Sequence, residues 1–317
     1  MRMKKTISLI LALVMVFALC ACGSTTSATE ATAAPEETAA AAEDAAAAEE
    51  TTGGELILGT SADYAPFEFM YPDENGDMVY GGIDFFAAEY IAEQMGMTLK
   101  VENMSFDYLL ASLQKGDYDI VMAAMEATDE RKNAADFSDP YYTDYPAMIL
   151  VKADKADQFQ TLSDFDGLSV AAQTATTKEA IVTDQMPGAN LVSLQNVNDI
   201  VNQLVNDKID AAVLDGSVAM SYAATNSDLV VAAASDELGA AEPYCVAVQK
   251  GDPKGLLPAI NAAIAKMNEE NKIEEFKAQA DELSGVAEEV SADAPADAVE
   301  ETVEETADEA TEAESAS

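Results

Sequence analysis

The stretch Glu55-Leu-Ile-Leu-Gly-Thr60 is a short apolar run that ends in a polar segment, which predicts a buried strand. Residues 85–95 then place apolar side chains at helical spacing, with Gly96 where a helix commonly ends. Residues 98–101 predict a second strand. A strand, a helix and a second strand in this order are typical of a parallel sheet flanked by helices.

The same alternation continues along the chain to residue 283. Further strands are predicted at residues 120–122, 168–172, 190–194, 210–214, 229–231 and 244–248, and further helices at 108–113, 177–186, 197–206, 218–224, 255–268 and 272–283. We therefore expect an α/β fold with mostly parallel sheets. In open sheets of this kind, a ligand lies beyond the carboxyl ends of the strands and beside helix N-termini.

The composition narrows the classes of function. The chain of 317 residues carries 16 Lys and Arg against 59 Asp and Glu, a net charge of −43. This charge argues against nucleic acid as a partner, because phosphate contacts need clustered cations, and it favours a soluble monomer. The chain has no histidine, which removes the commonest general base and the commonest metal ligand. We expect no metal and no cofactor.

The N-terminus has the pattern of a lipoprotein signal. Basic residues precede an apolar run over residues 7–19, which is shorter than the roughly 20 apolar residues of a membrane span. The run ends in the sequence Leu-Cys-Ala-Cys at residues 19–22, which matches the bacterial lipobox. We expect residues 1–21 to be a signal peptide and Cys22 to carry the lipid. The alternative is an ordinary secretory signal that contains two cysteines.

Two acidic segments flank the central region. Residues 22–54 contain seven acids and residues 286–317 contain twelve, and neither segment has a basic or an aromatic residue. Such a composition predicts a disordered spacer and a disordered tail, with local Ala-rich helix as the alternative. Once these acids and the three cations of the signal are set aside, residues 55–285 hold a net charge of −27. These 231 residues are enough for two small lobes.

Polar or aromatic segments follow four of the predicted strands, at residues 61–69, 126–131, 173–177 and 214–217. Three motifs around them carry a resemblance to a known family: Gly59-Thr-Ser-Ala-Asp-Tyr-Ala-Pro-Phe-Glu-Phe69, Thr128-Asp-Glu-Arg131 leading into Asp136-Phe-Ser-Asp-Pro-Tyr-Tyr142, and Ile209-Asp-Ala-Ala-Val-Leu-Asp215. The chain resembles the polar amino-acid-binding proteins of ABC uptake transporters, also called solute-binding protein family 3. The resemblance extends over residues 55–285.

The resemblance implies a fold and a function. The fold is the two-lobed periplasmic-binding-protein type II fold, in which each lobe is a mixed, mostly parallel sheet flanked by helices and two hinge crossings join the lobes. Residues 55–143 with 244–285 would form lobe 1, and residues 147–240 would form lobe 2. The chain would capture a free amino acid in the cleft between them, close by a hinge motion and deliver the amino acid to an ABC permease.

The same resemblance implies a binding protein and not an enzyme. It would be attached through the lipid on Cys22 to the outer face of the bacterial cytoplasmic membrane. Two alternatives stay open. The first is a ligand-sensing surface lipoprotein without a transporter, and the second is a dehydratase of the same fold.

Three residues match the family's contacts with the backbone of an amino acid. Arg131 matches the arginine that binds the α-carboxylate, since a guanidinium offers two parallel donors. Thr176 matches a hydroxyl and backbone donor to the same carboxylate, and it follows Ala175, which replaces a usual Gly. Asp215 matches the acid that accepts the α-ammonium. The alternatives are a surface salt bridge for Arg131, a helix cap for Asp215 and an N-cap for Thr176.

Five further residues complete the expected cleft. Tyr64 and Phe106 match aromatic walls against the ligand side chain, with a place in the core as the alternative. The backbone near Ala124 matches a segment whose carbonyl meets the ammonium. Glu126 stands where Ser or Thr is usual, and it could pair with Arg131 or meet a second cation on the ligand. Ser61 stands where binders of cationic side chains often have Asp, so we expect a polar ligand, with a cationic one still open.

Overall fold

The computed structural model describes the backbone of residues 53–293 and the side chains of residues 53–285. The predictions for the signal peptide, for Cys22 and for most of the spacer and tail lie outside these residues. The strands within the described part are β1 (Glu55–Thr60), β2 (Asp63–Tyr64), β3 (Glu68–Pro72), β4 (Met78–Gly81), β5 (Thr98–Asn103), β6 (Ile120–Val121), β7 (Ala135–Tyr142), β8 (Met148–Lys152), β9 (Ser169–Gln173), β10 (Asn190–Leu194), β11 (Ala211–Leu214), β12 (Leu229–Val231) and β13 (Tyr244–Gln249).

The helices of the same part flank these strands. They are α1 (Ile83–Gln94), α2 (Phe106–Lys115), α3 (Arg131–Ala134), α4 (Thr177–Gln185), α5 (Val197–Val205), α6 (Gly216–Thr225), α7 (Leu257–Glu269) and α8 (Lys272–Asp293), with short 3-10 helices at Ala153–Gln158, Leu162–Phe165 and Ala233–Glu237. Over residues 53–293, none of the helices combines the length and the apolar character that crossing a bilayer would need.

Two five-stranded sheets share one topology. Their strand orders are β5-β1-β6-β13-β7 and β10-β9-β11-β8-β12. In each sheet four strands run in one direction, and the fourth strand in the order, β13 or β8, runs against both of its neighbours. The chain leaves the first sheet after β7, enters the second at β8, and returns from β12 to β13. The expected fold class, with mixed, mostly parallel sheets and two crossings, is confirmed.

Apolar spacing explains how the helices dock on these sheets. In α5 the buried residues Val197, Ile200, Val201 and Leu204 recur at three- and four-residue intervals and form one face. At the start of this helix the side chain of Asn196 accepts a hydrogen bond from the backbone N–H of Asp199 at 3.3 Å. A packed face and a cap at the N-terminus together fix where the helix begins and which side meets the second sheet.

A small antiparallel sheet of β2, β3 and β4 was not predicted from the sequence. The β3–β4 hairpin turns at Asp73, whose Oδ1 accepts hydrogen bonds from the backbone N–H of Asn75 at 2.8 Å and of Asp77 at 2.9 Å. After β4 the chain turns sharply into α1 at Gly82, which has a φ of 117°. A Cβ at this position would overlap the backbone carbonyl oxygen of Phe67, so only glycine fits there.

The end of the described chain differs from the expected tail. Helix α8 continues to Asp293, so residues 286–293 are helical, whereas their composition predicts a disordered tail. This extension has a physical reason. Ala and Glu favour the helix, and a helix that has already formed gains one hydrogen bond for each added residue without a new nucleus.

Candidate functional site

Loops at the carboxyl ends of strands from both sheets meet around one small cavity, which we call the cleft. Seven of the eight predicted site residues line it: Ser61, Tyr64, Phe106, Ala124, Glu126, Thr176 and Asp215. The space left among the side chains is about 10 Å³, enough for a single water molecule. A larger ligand therefore needs the side chains or the two sheets to move apart.

Arg131 begins the short helix α3 and lies behind the cleft wall rather than on it. Its Nη1 donates hydrogen bonds to Glu126 Oε2 at 2.8 Å and to the Glu126 carbonyl oxygen at 3.0 Å. Its Nη2 donates to the carbonyl oxygen of Ala175 at 3.2 Å, and its Cζ lies 5.2 Å from the centre of the Phe106 ring. The side chain is only 10% exposed, so Arg131 is not part of a surface salt bridge.

Glu126 is held by two cations. Besides Arg131, its carboxylate accepts a hydrogen bond from Lys178 Nζ at 2.7 Å on Oε1, and Thr177 Oγ1 donates to the same oxygen at 2.8 Å. Burial by itself would raise the pKa of Glu126, but the charges of Lys178 and Arg131 lower it to about 2. Glu126 is therefore an ionised carboxylate. The sequence left open whether Glu126 pairs with Arg131 or with a cation of the ligand; in the structure it pairs with Arg131 and with Lys178.

Lys178 is the central residue that sequence reasoning missed. Its ammonium lies 2.5 Å from Asp215 Oδ1 as well as 2.7 Å from Glu126 Oε1, and its side chain is 6% exposed. Burial opposes the charged form, but the two carboxylates outweigh burial and raise the pKa of Lys178. Its signal in the sequence is its place in the first turn of α4, where the helix dipole disfavours a cation.

Asp215 is bound on both carboxylate oxygens. Tyr64 Oη donates to Asp215 Oδ2 at 2.6 Å, and the backbone N–H of Asp215 donates back to Tyr64 Oη at 3.2 Å. Burial raises the pKa of Asp215, while Lys178 and Tyr64 act against that rise. Since both oxygens accept from a donor, the ionised form fits this geometry. Asp215 occupies the N-cap position of α6, but its side chain makes no cap hydrogen bond.

Thr176 and Ser61 use their hydroxyls locally. Thr176 is the N-cap residue of α4, but its Oγ1 donates to the carbonyl oxygen of Gln173 at 2.6 Å and does not cap the helix. Ser61 Oγ donates to Asp63 Oδ1 at 3.0 Å. The other oxygen of Asp63 accepts from the backbone N–H of Val197 at 2.8 Å and so links the two sides of the cleft. Burial raises the pKa of Asp63 to about 6.

A pair of buried acids supports the cleft from the side of the first sheet. Glu68 lines the cavity, and Asp84 Oδ2 accepts a hydrogen bond from the backbone N–H of Ala124 at 2.7 Å. Ala124 has a φ of 44°, so Asp84 holds it in a conformation that alanine seldom adopts. Burial raises the pKa of Asp84 to about 7 and that of Glu68 well above its usual range. Within residues 53–285 no cation pairs with either carboxyl group.

Two sheets of equal topology, two crossings and a buried site between their strand ends define a two-lobed binding protein. Residues 56–280 match the family of the bacterial extracellular solute-binding proteins, family 3, and the chain belongs to that family. It is 31% identical over 281 residues to the arginine-binding extracellular protein ArtP of Bacillus subtilis, a match that covers 87% of this chain and 97% of ArtP.

Solved structures show the same relationship. An amino acid ABC transporter substrate-binding protein of Streptococcus pneumoniae, bound to L-arginine, is 36% identical with a TM-score of 0.68, covering 73% of this chain and 95% of that one. An ancestral arginine-binding protein bound to glutamine is 34% identical with a TM-score of 0.63, covering 70% of this chain and 96% of that one.

Proposed function

We propose that this chain is an extracytoplasmic solute-binding protein that captures a free amino acid in the cleft and delivers it to an ABC importer. The observation that carries the proposal is that Arg131 and Asp215 each hold an oppositely charged side chain, Glu126 and Lys178 respectively. Both are buried, they have opposite charges, and their partners in the cleft are a carboxylate and an ammonium. An amino acid carries the same two groups. Its α-carboxylate would replace that of Glu126 on Arg131, and its α-ammonium would replace that of Lys178 on Asp215.

Capture would involve a hinge motion of the two lobes. We propose residues 55–143 with 244–285 as lobe 1 and residues 147–240 as lobe 2, because each range supplies all the strands of one five-stranded sheet. Several hydrogen bonds would then cross from lobe to lobe, among them the one from Tyr64 to Asp215 and the one from Arg131 to Ala175. These contacts would break when the lobes part and form again when they close.

Location and partners follow from the same proposal. The lipobox supports cleavage after residue 21 and a lipid on Cys22. The lipid would hold the protein on the outer face of the cytoplasmic membrane, within reach of a permease. The large negative charge of the chain favours a monomer. Family 3 consists of solute-binding proteins, and we propose binding without catalysis. Labelling of the protein with a radioactive fatty acid in cells, compared with a Cys22→Ala variant, tests the anchor. Equal labelling of both proteins would refute it.

Calorimetric titration of the purified protein with the twenty common L-amino acids tests capture. At least one of these amino acids should bind saturably. In an unfolding experiment, that amino acid at a concentration of 100 times its Kd should add about 2.7 kcal/mol to the free energy of unfolding. Arg131→Ala should weaken that binding by about 30-fold or more, since truncating a buried charged partner costs about 2 to 5 kcal/mol. The exposed neighbour Lys132 provides the matched control, and Lys132→Ala should leave binding within twofold. Unchanged affinity in Arg131→Ala would refute the site.

A further inference from the structure

The position of Lys178 is unfavourable for a charged side chain. A lysine is seldom buried, and this one lies in the first turn of α4, where the positive end of the helix dipole opposes a cation. Its ammonium is stabilised by two carboxylates, Glu126 and Asp215, which lie within 2.7 Å, and it also donates to Thr177 Oγ1 at 3.1 Å. Burial and the helix dipole both disfavour the ammonium of Lys178 at this position. A charge kept there in spite of both effects points to a role in the cleft itself.

The charges of the ionised side chains in the cleft sum to zero. Arg131 and Lys178 contribute two positive charges, and Glu126 and Asp215 contribute two negative ones. Asp63 lies at the edge, where its carboxylate binds the N-terminus of α5. The remaining acid on the wall, Glu68, is buried beside Asp84, and among residues 53–285 no cation pairs with it. Burial and the neighbouring acid raise its pKa well above the usual range, so the neutral form fits this position.

An amino acid that enters the cleft would replace the present partners of Arg131 and Asp215 without changing the net charge of the cleft. When its carboxylate takes the place of Glu126 and its ammonium takes the place of Lys178, the two displaced side chains keep each other, since they already lie 2.7 Å apart. Every buried charge then has a partner, provided that the ligand side chain is uncharged. A cationic side chain would find Glu126 already occupied by Lys178, and an unpaired buried charge is costly.

We propose that Lys178 is a specificity-determining residue that neutralises Glu126 and so selects amino acids with an uncharged polar side chain over cationic ones. This inference rests on the proposed function, because it assumes that an amino acid binds in the cleft. It predicts that this chain prefers an uncharged amino acid, whereas the Bacillus subtilis relative is named an arginine-binding protein.

Calorimetric titrations with L-glutamine, L-asparagine, L-serine and L-arginine test the proposal on the wild-type protein. The tightest of the three uncharged ligands should bind at least about tenfold more tightly than L-arginine. Tighter binding of L-arginine than of all three would overturn the proposal and leave amino-acid capture standing. If none of the twenty common amino acids binds, the proposed function fails as well.

Variants separate charge balance from a merely structural role. Lys178→Gln frees Glu126, so the ratio of L-arginine affinity to uncharged-ligand affinity should rise by about tenfold or more. The double variant Lys178→Gln/Glu126→Gln restores neutrality, and its ratio should return toward the wild-type value. Lys208→Gln, at an exposed position near β11, is the matched control and should not move the ratio. An unchanged ratio in Lys178→Gln, or a rise that persists in the double variant, would overturn the proposal. Lys178→Met repeats the test if the first variant fails to fold.

Discussion

Replacing Asp84 by Asn should stabilise the protein at neutral pH and leave its stability at pH 4 nearly unchanged. Asp84 is 1% exposed and lies beside Glu68, and no salt bridge reaches its carboxyl group among the described residues. Burial raises its pKa from 3.8 to about 7, although the hydrogen bond from the Ala124 backbone N–H opposes the rise. Asn has nearly the same shape, can still accept from the Ala124 N–H, and never ionises.

The sign and size of the effect follow from linkage. Between pH 3.8 and about 7 the folded protein holds a proton on Asp84 that the unfolded chain has lost, so the free energy of unfolding falls as the pH rises through this range. The stabilising contribution of the proton is complete below pH 3.8 and lost above about 7. A difference of about three pH units at about 1.4 kcal/mol each gives at most about 4 kcal/mol. Asp84→Asn should therefore be more stable than the wild type by up to about 4 kcal/mol at pH 8.

Urea unfolding followed by circular dichroism from pH 4 to pH 8 measures this difference. The wild type serves as the reference at each pH, so the titration of the other acids largely cancels. Asp77→Asn is the matched control, since Asp77 is exposed in the β3–β4 turn, and it should change the free energy of unfolding by less than about 0.5 kcal/mol. A constant difference between Asp84→Asn and the wild type across this pH range would refute the reasoning, and so would a less stable variant at pH 8.

Three further substitutions test the packing and the backbone, each by urea unfolding. Gly82→Ala should cost at least about 2 kcal/mol, because its Cβ would meet the Phe67 carbonyl oxygen and its φ is strained for alanine; a neutral change would contradict this. Ala175→Gly should raise stability by up to about 1 kcal/mol, since Ala175 has a φ of 64°, and a loss would count against strain there. Phe165→Ala should cost about 3 to 5 kcal/mol because its buried ring stacks on Phe159 at 4.6 Å, and a cost below about 1 kcal/mol would show that the site collapses.

Periodicity in the sequence was enough to predict most of the fold. Strand β1 and helix α1 lie where the apolar runs placed them, because burial on a sheet and helical spacing are properties of a short window. The β2–β4 sheet was missed because its strands are short and only partly buried, so they carry little apolar pattern. The Asn75-Gly76 pair between β3 and β4 was a usable hairpin signal.

The site was predicted less completely than the fold. The resemblance supplied Arg131 and Asp215, and the structure places Asp215 on the wall of the cleft and Arg131 behind it, against Glu126. It could not supply Lys178, because most lysines are solvated surface residues, and an unfavourable place in the first turn of a helix does not show which carboxylates the side chain reaches. Nor could it indicate that Glu68 and Asp84 are packed together without a cation, since the two acids are sixteen positions apart and meet only through the turn at Gly82.

The net charge of the cleft is the property that a single segment of sequence cannot reveal. It is a sum over side chains that come from separate loops, and each loop alone is misleading: Glu126 favours a cationic ligand, whereas Ser61 does not. Only the fold shows that Lys178 reaches Glu126 and Asp215 at once and cancels the charge that Glu126 adds. Because an unpaired charge is costly in a buried site, this sum constrains the ligand more strongly than any one of the residues does.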